Sequence, residues 1–440
     1  MSLSISDTSH ASKLSHNQSL KPLDGLQEYF WLSELSGTHA AIIAAEVEGA
    51  VSVADWHRAA EALNRNYPVV STRIKKNPAE RPYFEHIAGG RVGLEVIPGE
   101  SFDVDRELAA QMALSFGLGQ DGLVRIRILH GPRRSLVVLA AHHAGSDGKT
   151  VVMMIRDFIA AASSEDIGAP IEFLPSLSQR LDLPLPAPYT HTQSNERAGV
   201  HHHFQRSRAQ VSHAEFAPDE LAHLLKRCRE ERTTLQGALV TAFILAGREL
   251  SPSWREHPVV CLSPIDLRPV LKLGGVSGVP LMVHPTVAIP EEIAFWDFAR
   301  RAKAEISKSQ TREGAIAAVQ YSAKVVEKEG NPNDFTTIDP GLLLHHDLMV
   351  SNYGDYGRTM EFAPIRVKAL YPATAFREEN TQTVSLITLN GALYVTQTSR
   401  NPLTELLAGA HNILLYATTE VLIAVGMPIA EHPPHRSRRA

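Results

Sequence analysis

Apolar positions in the first half of the chain follow both strand-like and helix-like periods. Residues 123–129, LVRIRIL, alternate apolar and charged side chains, which predicts a strand with one buried face. Residues 135–143, SLVVLAAHH, are apolar until the last two positions, as expected of a central strand. Between positions 56 and 63 the apolar residues recur at helical spacing, and Val53 or Asp55 lies near the predicted helix start.

The second half repeats this mixed pattern. Pro218 lies in the first turn of one predicted helix, and Thr234 can cap the next. Residues 383–398 read as two strands joined at Asn390-Gly391, a dipeptide typical of a hairpin turn. A long apolar helix is predicted over residues 403–425. The pattern along the chain therefore predicts two α/β halves of comparable size.

Changes in amino-acid composition along the chain indicate where one half ends and the other begins. Residues 1–20 are polar and rich in serine, so we expect a disordered tail. An N-terminal subdomain is expected over residues 21–170 and a C-terminal subdomain over residues 206–432. Residues 171–205 between them carry several prolines and little periodicity, which indicates a crossover linker.

The overall composition excludes several classes of protein. The 440 residues are 44% hydrophobic and 21% charged, with a formal net charge of -5, so nucleic acid is not an expected partner. The basic end, HRSRRA, is predicted to be a solvated tail. No segment approaches eighteen unbroken apolar residues and no secretory signal is evident, so we expect a cytoplasmic protein without integral membrane contact. Cys228 and Cys261 lie far apart, which argues against a disulfide framework or a zinc site.

The most informative stretch is HHAGSDG, residues 142–148. A predicted strand ends at the two histidines, and ligands meet α/β folds at strand ends. A neutral imidazole can take a proton from a hydroxyl or amine while that group attacks a thioester carbonyl. Neighbouring strand residues point to opposite faces, so only one of His142 and His143 can readily face a given cavity. Asp147 is placed to hold an arginine or a backbone amide, and Gly148 allows a tight turn.

This stretch resembles the HHxxxDG motif of the superfamily of condensation domains and CoA-dependent acyltransferases. The superfamily includes alcohol acetyltransferases, polyketide-associated acyltransferases and chloramphenicol acetyltransferase-like enzymes. Similar segments extend over most of the chain. They are PLDGLQEYFWL (22–32), DWHRAAEALNRNYPVVSTRI (55–74), TTLQGALVTAF (233–243), SPIDLRP (263–269) and LMVSNYGDYG (348–357).

The resemblance implies a role for each motif residue. His143 would be the general base and His142 a structural neighbour. Asp147 would pair with Arg268 of the IDLRP segment across the interface between the subdomains. Gly148 would keep the channel open beside the base.

The resemblance also implies the fold, the substrates and the lining of the site. The expected fold is α/β, with two chloramphenicol acetyltransferase-like subdomains forming a V around a central channel. Ser351 and Asn352 would lie near this tunnel, whereas residues 355–357, DYG, match the donor-binding motif of the plant branch only in part. The co-substrate would be an acyl-CoA or acyl-carrier thioester and the acceptor an alcohol or amine. No metal, no permanently bound cofactor and no covalent acyl-enzyme are expected, and we expect a monomer acting in specialised metabolism.

Other residues of interest have simpler explanations. His345-His346 lacks a trailing glycine, which favours packing or tunnel lining. Residues 201–203, HHH, cannot all face one ion, so a solvated loop is expected. Residues 274–278, GGVSG, lack the order of a phosphate loop and predict a loop beside a channel. Neither cysteine has a histidine partner in sequence, so nucleophilic catalysis by a thiol has little support.

Two rival functions stay open. One is condensation between carrier-bound substrates, which would need a docking surface for an acyl or peptidyl carrier protein. The other is a condensation-fold protein with a non-acyltransfer role, such as an epimerase, a cyclase or a binding scaffold.

Overall fold

The computed structural model places most of the chain in helices and strands. It describes residues 21–36, 40–77, 80–99, 101–116, 122–173, 175–186, 209–274, 278–289, 293–329, 346–376 and 378–419. The helices are α1 (Gly25–Ser36), α2 (Val53–Asn66), α3 (Val104–Met112), α4 (Gly148–Ala162), α5 (Leu177–Arg180), α6 (Pro218–Glu230), α7 (Leu235–Leu250), α8 (Pro252–Glu256), α9 (Phe295–Ser309), α10 (Arg312–Glu329) and α11 (Leu406–Thr418). The strands are β1 (Lys21–Pro22), β2 (Ala40–Glu48), β3 (Thr72–Lys75), β4 (Tyr83–His86), β5 (Gly93–Pro98), β6 (Val124–His130), β7 (Arg134–His142), β8 (Gln210–Phe216), β9 (Val259–Asp266), β10 (Leu281–Ala288), β11 (Leu348–Asp355), β12 (Glu361–Phe362), β13 (Ile365–Ala373), β14 (Gln382–Leu389) and β15 (Ala392–Ser399).

Local sequence signals agree with these elements. Ser52 caps α2 through a reciprocal pair of hydrogen bonds with Asp55, at the predicted helix start. Thr234 caps α7 by accepting a hydrogen bond from the Gly237 backbone N–H at 3.1 Å. Asn390 and Gly391 both have positive φ, 53° and 82°, as a tight hairpin between β14 and β15 requires. These predictions are confirmed.

Each half of the molecule contains a six-stranded sheet. The first sheet has the order β12-β13-β2-β7-β6-β5, and the second has the order β10-β9-β11-β14-β15-β8. A small third sheet joins β1, β4 and β3. The expected two-subdomain α/β fold is confirmed. In the second sheet β11 runs parallel to both of its neighbours, β9 and β14, so their carboxyl ends lie at the same edge.

One pair of strands crosses between the halves. β12 and β13 lie within the range 206–432 that the sequence assigns to the C-terminal subdomain, yet β13 pairs with β2 of the first sheet. Hydrophobic periodicity shows that a segment is a strand but not which sheet it joins, so sequence reasoning could not reveal this exchange.

The hydrophobic core follows the sheets. A large cluster includes the buried faces of β2 and β7 together with α2 and α4. A second cluster surrounds α7, which is buried along most of its length. Leu177 and Leu181, from the predicted crossover, pack with Leu267 and Met282 in a third cluster. The crossover is therefore partly anchored to the second half.

Several sequence predictions lie outside the described residues. They concern the tail at 1–20, most of the crossover including residues 201–203, His345, and the chain after residue 419 with its basic end. Within the described part of the chain, no helix has the length and apolarity to cross a membrane.

Candidate active site

The two motif histidines have different environments at the end of β7. His142 is the last residue of the strand, pairs with Ala40 of β2 and is buried. The Ala144 backbone N–H donates to His142 Nδ1 at 3.1 Å. Burial, together with the neighbouring His143 and Arg125, lowers the pKa of His142 to about 3. His142 is thus a neutral ring that shapes the loop.

His143 faces the other way and lines a cavity. Its imidazole is stacked on the ring of Phe30 from α1, with centroids 4.0 Å apart and planes 8° from parallel. Burial lowers the pKa of His143 to about 4, although its own backbone and Asp147 act in the opposite direction. The ring is therefore neutral near pH 7 and can accept a proton.

Asp147 fixes the loop that follows. It caps α4 by accepting from the Thr150 backbone N–H at 2.8 Å and from the Thr150 hydroxyl at 2.7 Å. Its two carboxylate oxygens accept from two nitrogens of Arg268, at 2.8 and 2.9 Å. The side chains of Arg268 and Asp147 are only 10% and 4% exposed. The arginine–carboxylate pair that the resemblance implies is thus present, buried and bidentate.

Further contacts surround this ion pair. Arg268 also donates to the Asp266 carboxylate at 2.9 Å, and Lys149 lies 3.0 Å from the other oxygen of Asp266. These carboxylates raise the pKa of Arg268 against the opposing effect of burial. The Asp147 backbone N–H donates to the Gly278 carbonyl at 2.8 Å. Gly278 is the last residue of the GGVSG stretch, whose residues 275–277 lie outside the described part of the chain.

Gly148 makes room for one particular side chain. A Cβ added at this position would lie 2.3 Å from Cε1 of Tyr353 and 2.8 Å from its Cζ. Gly148 lines the cavity, and the Tyr353 ring fills the space beside it. That Gly148 keeps a channel open beside the base stays a prediction.

Ser351 and Asn352 line the same cavity from β11. The Asn352 side-chain oxygen accepts from the Gly354 backbone N–H at 2.9 Å. Both residues are expected near the tunnel, and that this cavity is the tunnel stays a prediction. Their roles in catalysis, like those of the motif residues, stay predictions.

The cavity has a volume of about 550 Å³, within the size range of small-molecule sites. It lies between α1, α10 and the strands β9, β10 and β11, and most of its lining is aliphatic or aromatic. The aliphatic lining includes Leu262, Ile265, Leu281, Met282, Val283 and Met349. Such a surface favours an apolar portion of a substrate.

Two further histidines reach this cavity. His284 Nδ1 lies 2.6 Å from the Ser309 hydroxyl, and burial lowers the pKa of His284. His346 is buried against Phe376 in an edge-to-face contact at 4.6 Å. His346 therefore lines the cavity, in agreement with the packing or lining role expected for it.

Other chemistries find less support in the described residues. Cys228 and Cys261 are buried, and burial raises the pKa of both thiols, which disfavours a thiolate nucleophile. In the described part of the chain, no group of three or more histidine, cysteine or carboxylate side chains is placed to hold a metal ion.

Sequence reasoning missed several residues that shape this site. Phe30 and Tyr353 lie in segments that the resemblance covers, but no spacing rule connects either ring to the motif. Thr150 lies two residues after the motif, and the signal nearest to it is Asp147, a residue type favoured as a helix N-cap. His284 lies in β10, a strand that the apolar pattern did not suggest.

This chain is similar to known proteins in its fold but not detectably in its sequence. No family model matches the chain, and no curated protein matches its sequence. Solved structures do match. The first condensation domain of the CDA synthetase aligns over 93% of this chain and 98% of its own, with TM-score 0.66 and 14% identity. The TRI3 trichothecene 15-O-acetyltransferase from Fusarium sporotrichioides aligns over 91% and 95%, with TM-score 0.64 and 10% identity.

A third matching structure is named for epimerization rather than for condensation or acetyl transfer. The epimerization domain from the third module of tyrocidine synthetase B aligns over 91% of this chain and 97% of its own, with TM-score 0.61 and 14% identity. The chain thus has the two-subdomain fold shared by condensation domains, an acetyltransferase and an epimerization domain. At these identities the likeness establishes the fold alone.

Proposed function

We propose that this protein is an acyltransferase that moves an acyl group from a thioester to an alcohol or amine. The observation that carries the proposal is a neutral imidazole, His143, on the wall of a largely apolar cavity of about 550 Å³. The fold shared with condensation domains and an acetyltransferase supports this reaction class.

The imidazole acts first as a base and then as an acid. Neutral His143 takes the proton from the acceptor hydroxyl or amine as its oxygen or nitrogen attacks the thioester carbonyl. The tetrahedral intermediate then expels the thiolate, and the protonated His143 returns the proton to the departing sulfur. No covalent enzyme intermediate is needed, and the ring ends neutral.

The surroundings of His143 favour this cycle. Stacking on Phe30 restricts the plane of the ring, and Asp147 anchors the loop through Arg268. Because the imidazole is already fixed and neutral, it need not move or lose a proton when the acceptor binds. The low pKa keeps the base form dominant near neutral pH.

The donor is an acyl-CoA or an acyl group on a carrier protein. The aliphatic lining of the cavity supports an acyl chain or an acceptor with a substantial apolar part. The condensation and epimerization domains that share the fold are parts of synthetases, which supports testing carrier-bound donors beside CoA thioesters.

The test is release of free thiol by the purified protein. Acyl-CoAs of several chain lengths and acyl-loaded carrier proteins are offered with alcohol and amine acceptors, and thiol and acylated product are quantified together. We expect stoichiometric thiol and product with at least one donor, and a loss of about 100-fold or more in His143→Ala. His57→Ala is the control, since it removes an exposed imidazole on α2, outside the cavity lining. Equal rates in wild type and His143→Ala would exclude this mechanism.

A second candidate is epimerization, favoured by the likeness to an epimerization domain. The same base would then remove a proton from a carbon next to a thioester, without breaking the thioester. Incorporation of deuterium from heavy water into a recovered aminoacyl thioester, with no thiol released, would support this alternative.

A further inference from the structure

Tyr353 lies at an irregularity in β11. Asn352 is paired with Leu386 of β14, but the next pair joins Asp355 to Thr388, so β11 contains one extra residue. Gly354 has φ of 103°, in the region that favours glycine, and its N–H is held by the Asn352 side chain. Bulges of this kind redirect a neighbouring side chain and often occur beside active sites.

The redirected ring points at the base loop. Tyr353 is 6% exposed and lines the cavity that His143 also lines. Its Cε1 and Cζ lie so close to Gly148 that any larger residue there would collide with the ring. Gly148 follows His143 by five positions, at the start of α4. The phenol is therefore held next to the loop that carries the base.

The protonation states of the two side chains are complementary. Burial raises the pKa of the Tyr353 phenol, and the Asp147 charge raises it further, while hydrogen bonding with the Ser385 and Ser351 hydroxyls acts in the other direction. Burial lowers the pKa of His143. Near neutral pH His143 is thus a proton acceptor and the Tyr353 phenol keeps its proton, and both side chains belong to residues that line the cavity.

The proposed reaction needs such a donor. Attack on a thioester places negative charge on the carbonyl oxygen, and a hydrogen bond to that oxygen lowers the barrier. The nearby cations already form ion pairs: Arg268 pairs with Asp147 and Asp266, and Lys149 pairs with Asp266. The Tyr353 phenol is neutral, so unlike these two cations it is not held in an ion pair.

We propose that the Tyr353 hydroxyl donates a hydrogen bond to the developing oxyanion of the tetrahedral intermediate, an inference that rests on the proposed acyltransfer. Gly148 and the β11 bulge then serve to position this phenol. Ser351 is the rival donor, since its hydroxyl lines the cavity two residues earlier on the same strand.

The first test compares Tyr353→Phe with Ser351→Ala and Tyr356→Phe. Tyr353→Phe keeps the ring against Gly148, so we expect an unchanged melting temperature, a KM within about twofold, and a kcat lower by about 100-fold. Tyr356 is a matched control, because burial also raises its phenol pKa but it does not line this cavity. Its variant should retain the wild-type kcat.

The second test varies the acidity of the phenol without removing it. Fluorotyrosines of decreasing pKa placed at position 353 should change kcat in step with phenol acidity, which a purely structural ring would not do. Wild-type kcat in Tyr353→Phe, or the large loss in Ser351→Ala instead, would overturn the assignment while leaving acyltransfer intact. A wild-type protein that releases no thiol with any donor would overturn the proposed function and this inference together.

Discussion

Asp147 and Arg268 join the two halves of the chain through a bidentate ion pair with hydrogen bonds of 2.8 and 2.9 Å. The carboxylate stands at the first turn of the helix that follows the base, and the guanidinium follows the end of β9 in the second sheet. The pair therefore fixes the position of the His143 loop relative to the wall of the cavity.

Asp147→Asn should destabilise the fold as well as slow the reaction. The substitution leaves a buried guanidinium without its bidentate partner, and breaking a buried pair in this way costs about 3 kcal/mol. We expect a lower free energy of unfolding in urea and a lower kcat. Asp266→Asn is the control and should cost less, because its side chain is 19% exposed. An inactive Asp147→Asn protein as stable as wild type would show that the role of the carboxylate is chemical.

The rate should be insensitive to pH around neutrality. Since the pKa of His143 is lowered to about 4, the base form dominates well above that value, and kcat/KM should fall only as the pH approaches it. The measurement is a kcat/KM profile from about pH 3.5 to 8, with pre-incubation controls for loss of fold. A midpoint at the ordinary value of 6.5 would mean that the ring is solvated.

The same shift predicts a dependence of stability on pH. The folded pKa of His143 lies below the ordinary value of 6.5, so between about pH 4 and 6.5 the unfolded chain binds more protons than the native state. Stability that is fully present above pH 6.5 is therefore lost as the pH falls toward 4. Urea unfolding at pH 7 and 5 should show a smaller difference in His143→Asn than in wild type. An equal difference in both would contradict the assigned shift.

Gly148→Ala should damage the site through Tyr353. The new methyl group would overlap the ring, which must move or force the helix start to shift, at a cost of about 1–3 kcal/mol. We expect lower stability and a lower kcat, and a smaller stability loss when the substitution is made in a Tyr353→Ala background. Gly274→Ala is the control, since a Cβ there meets nothing within 4 Å. Equal costs in the two backgrounds would show that the ring is not the obstacle.

The cavity should discriminate donors by chain length. If the acyl chain lies along the aliphatic lining, each added methylene should raise kcat/KM about fourfold until the cavity is full. Ala318 lines the cavity from α10, so Ala318→Leu should move the optimum to a shorter chain. Ala109→Leu, on α3 and outside this lining, should leave the optimum unchanged. A flat response to chain length in wild type would place the acyl group elsewhere.

Sequence reasoning succeeded where the signal is local. Capping and turn chemistry depends on residues a few positions apart, and it predicts the roles of Thr234, Asn390 and Gly391. The Asp147–Arg268 pair joins residues 121 positions apart, and only the family resemblance suggested it.

Contacts that depend on tertiary packing could not be predicted in this way. The stacking of Phe30 on His143 and the fit of Tyr353 against Gly148 arise from the relative placement of three separate elements. The membership of β13 in the first sheet likewise depends on the path of the whole chain. Hydrophobic periodicity contains no information about any of these.

The exchange of β13 has a consequence for synthesis of the protein. β2 is a nine-residue, almost wholly buried strand, and β13 covers its open side. A nascent or truncated polypeptide that stops before residue 361 would leave that side bare, as a template on which other molecules could add strands. The open edge of β2 is therefore covered only once residues 365–373 have been synthesised and have folded onto it.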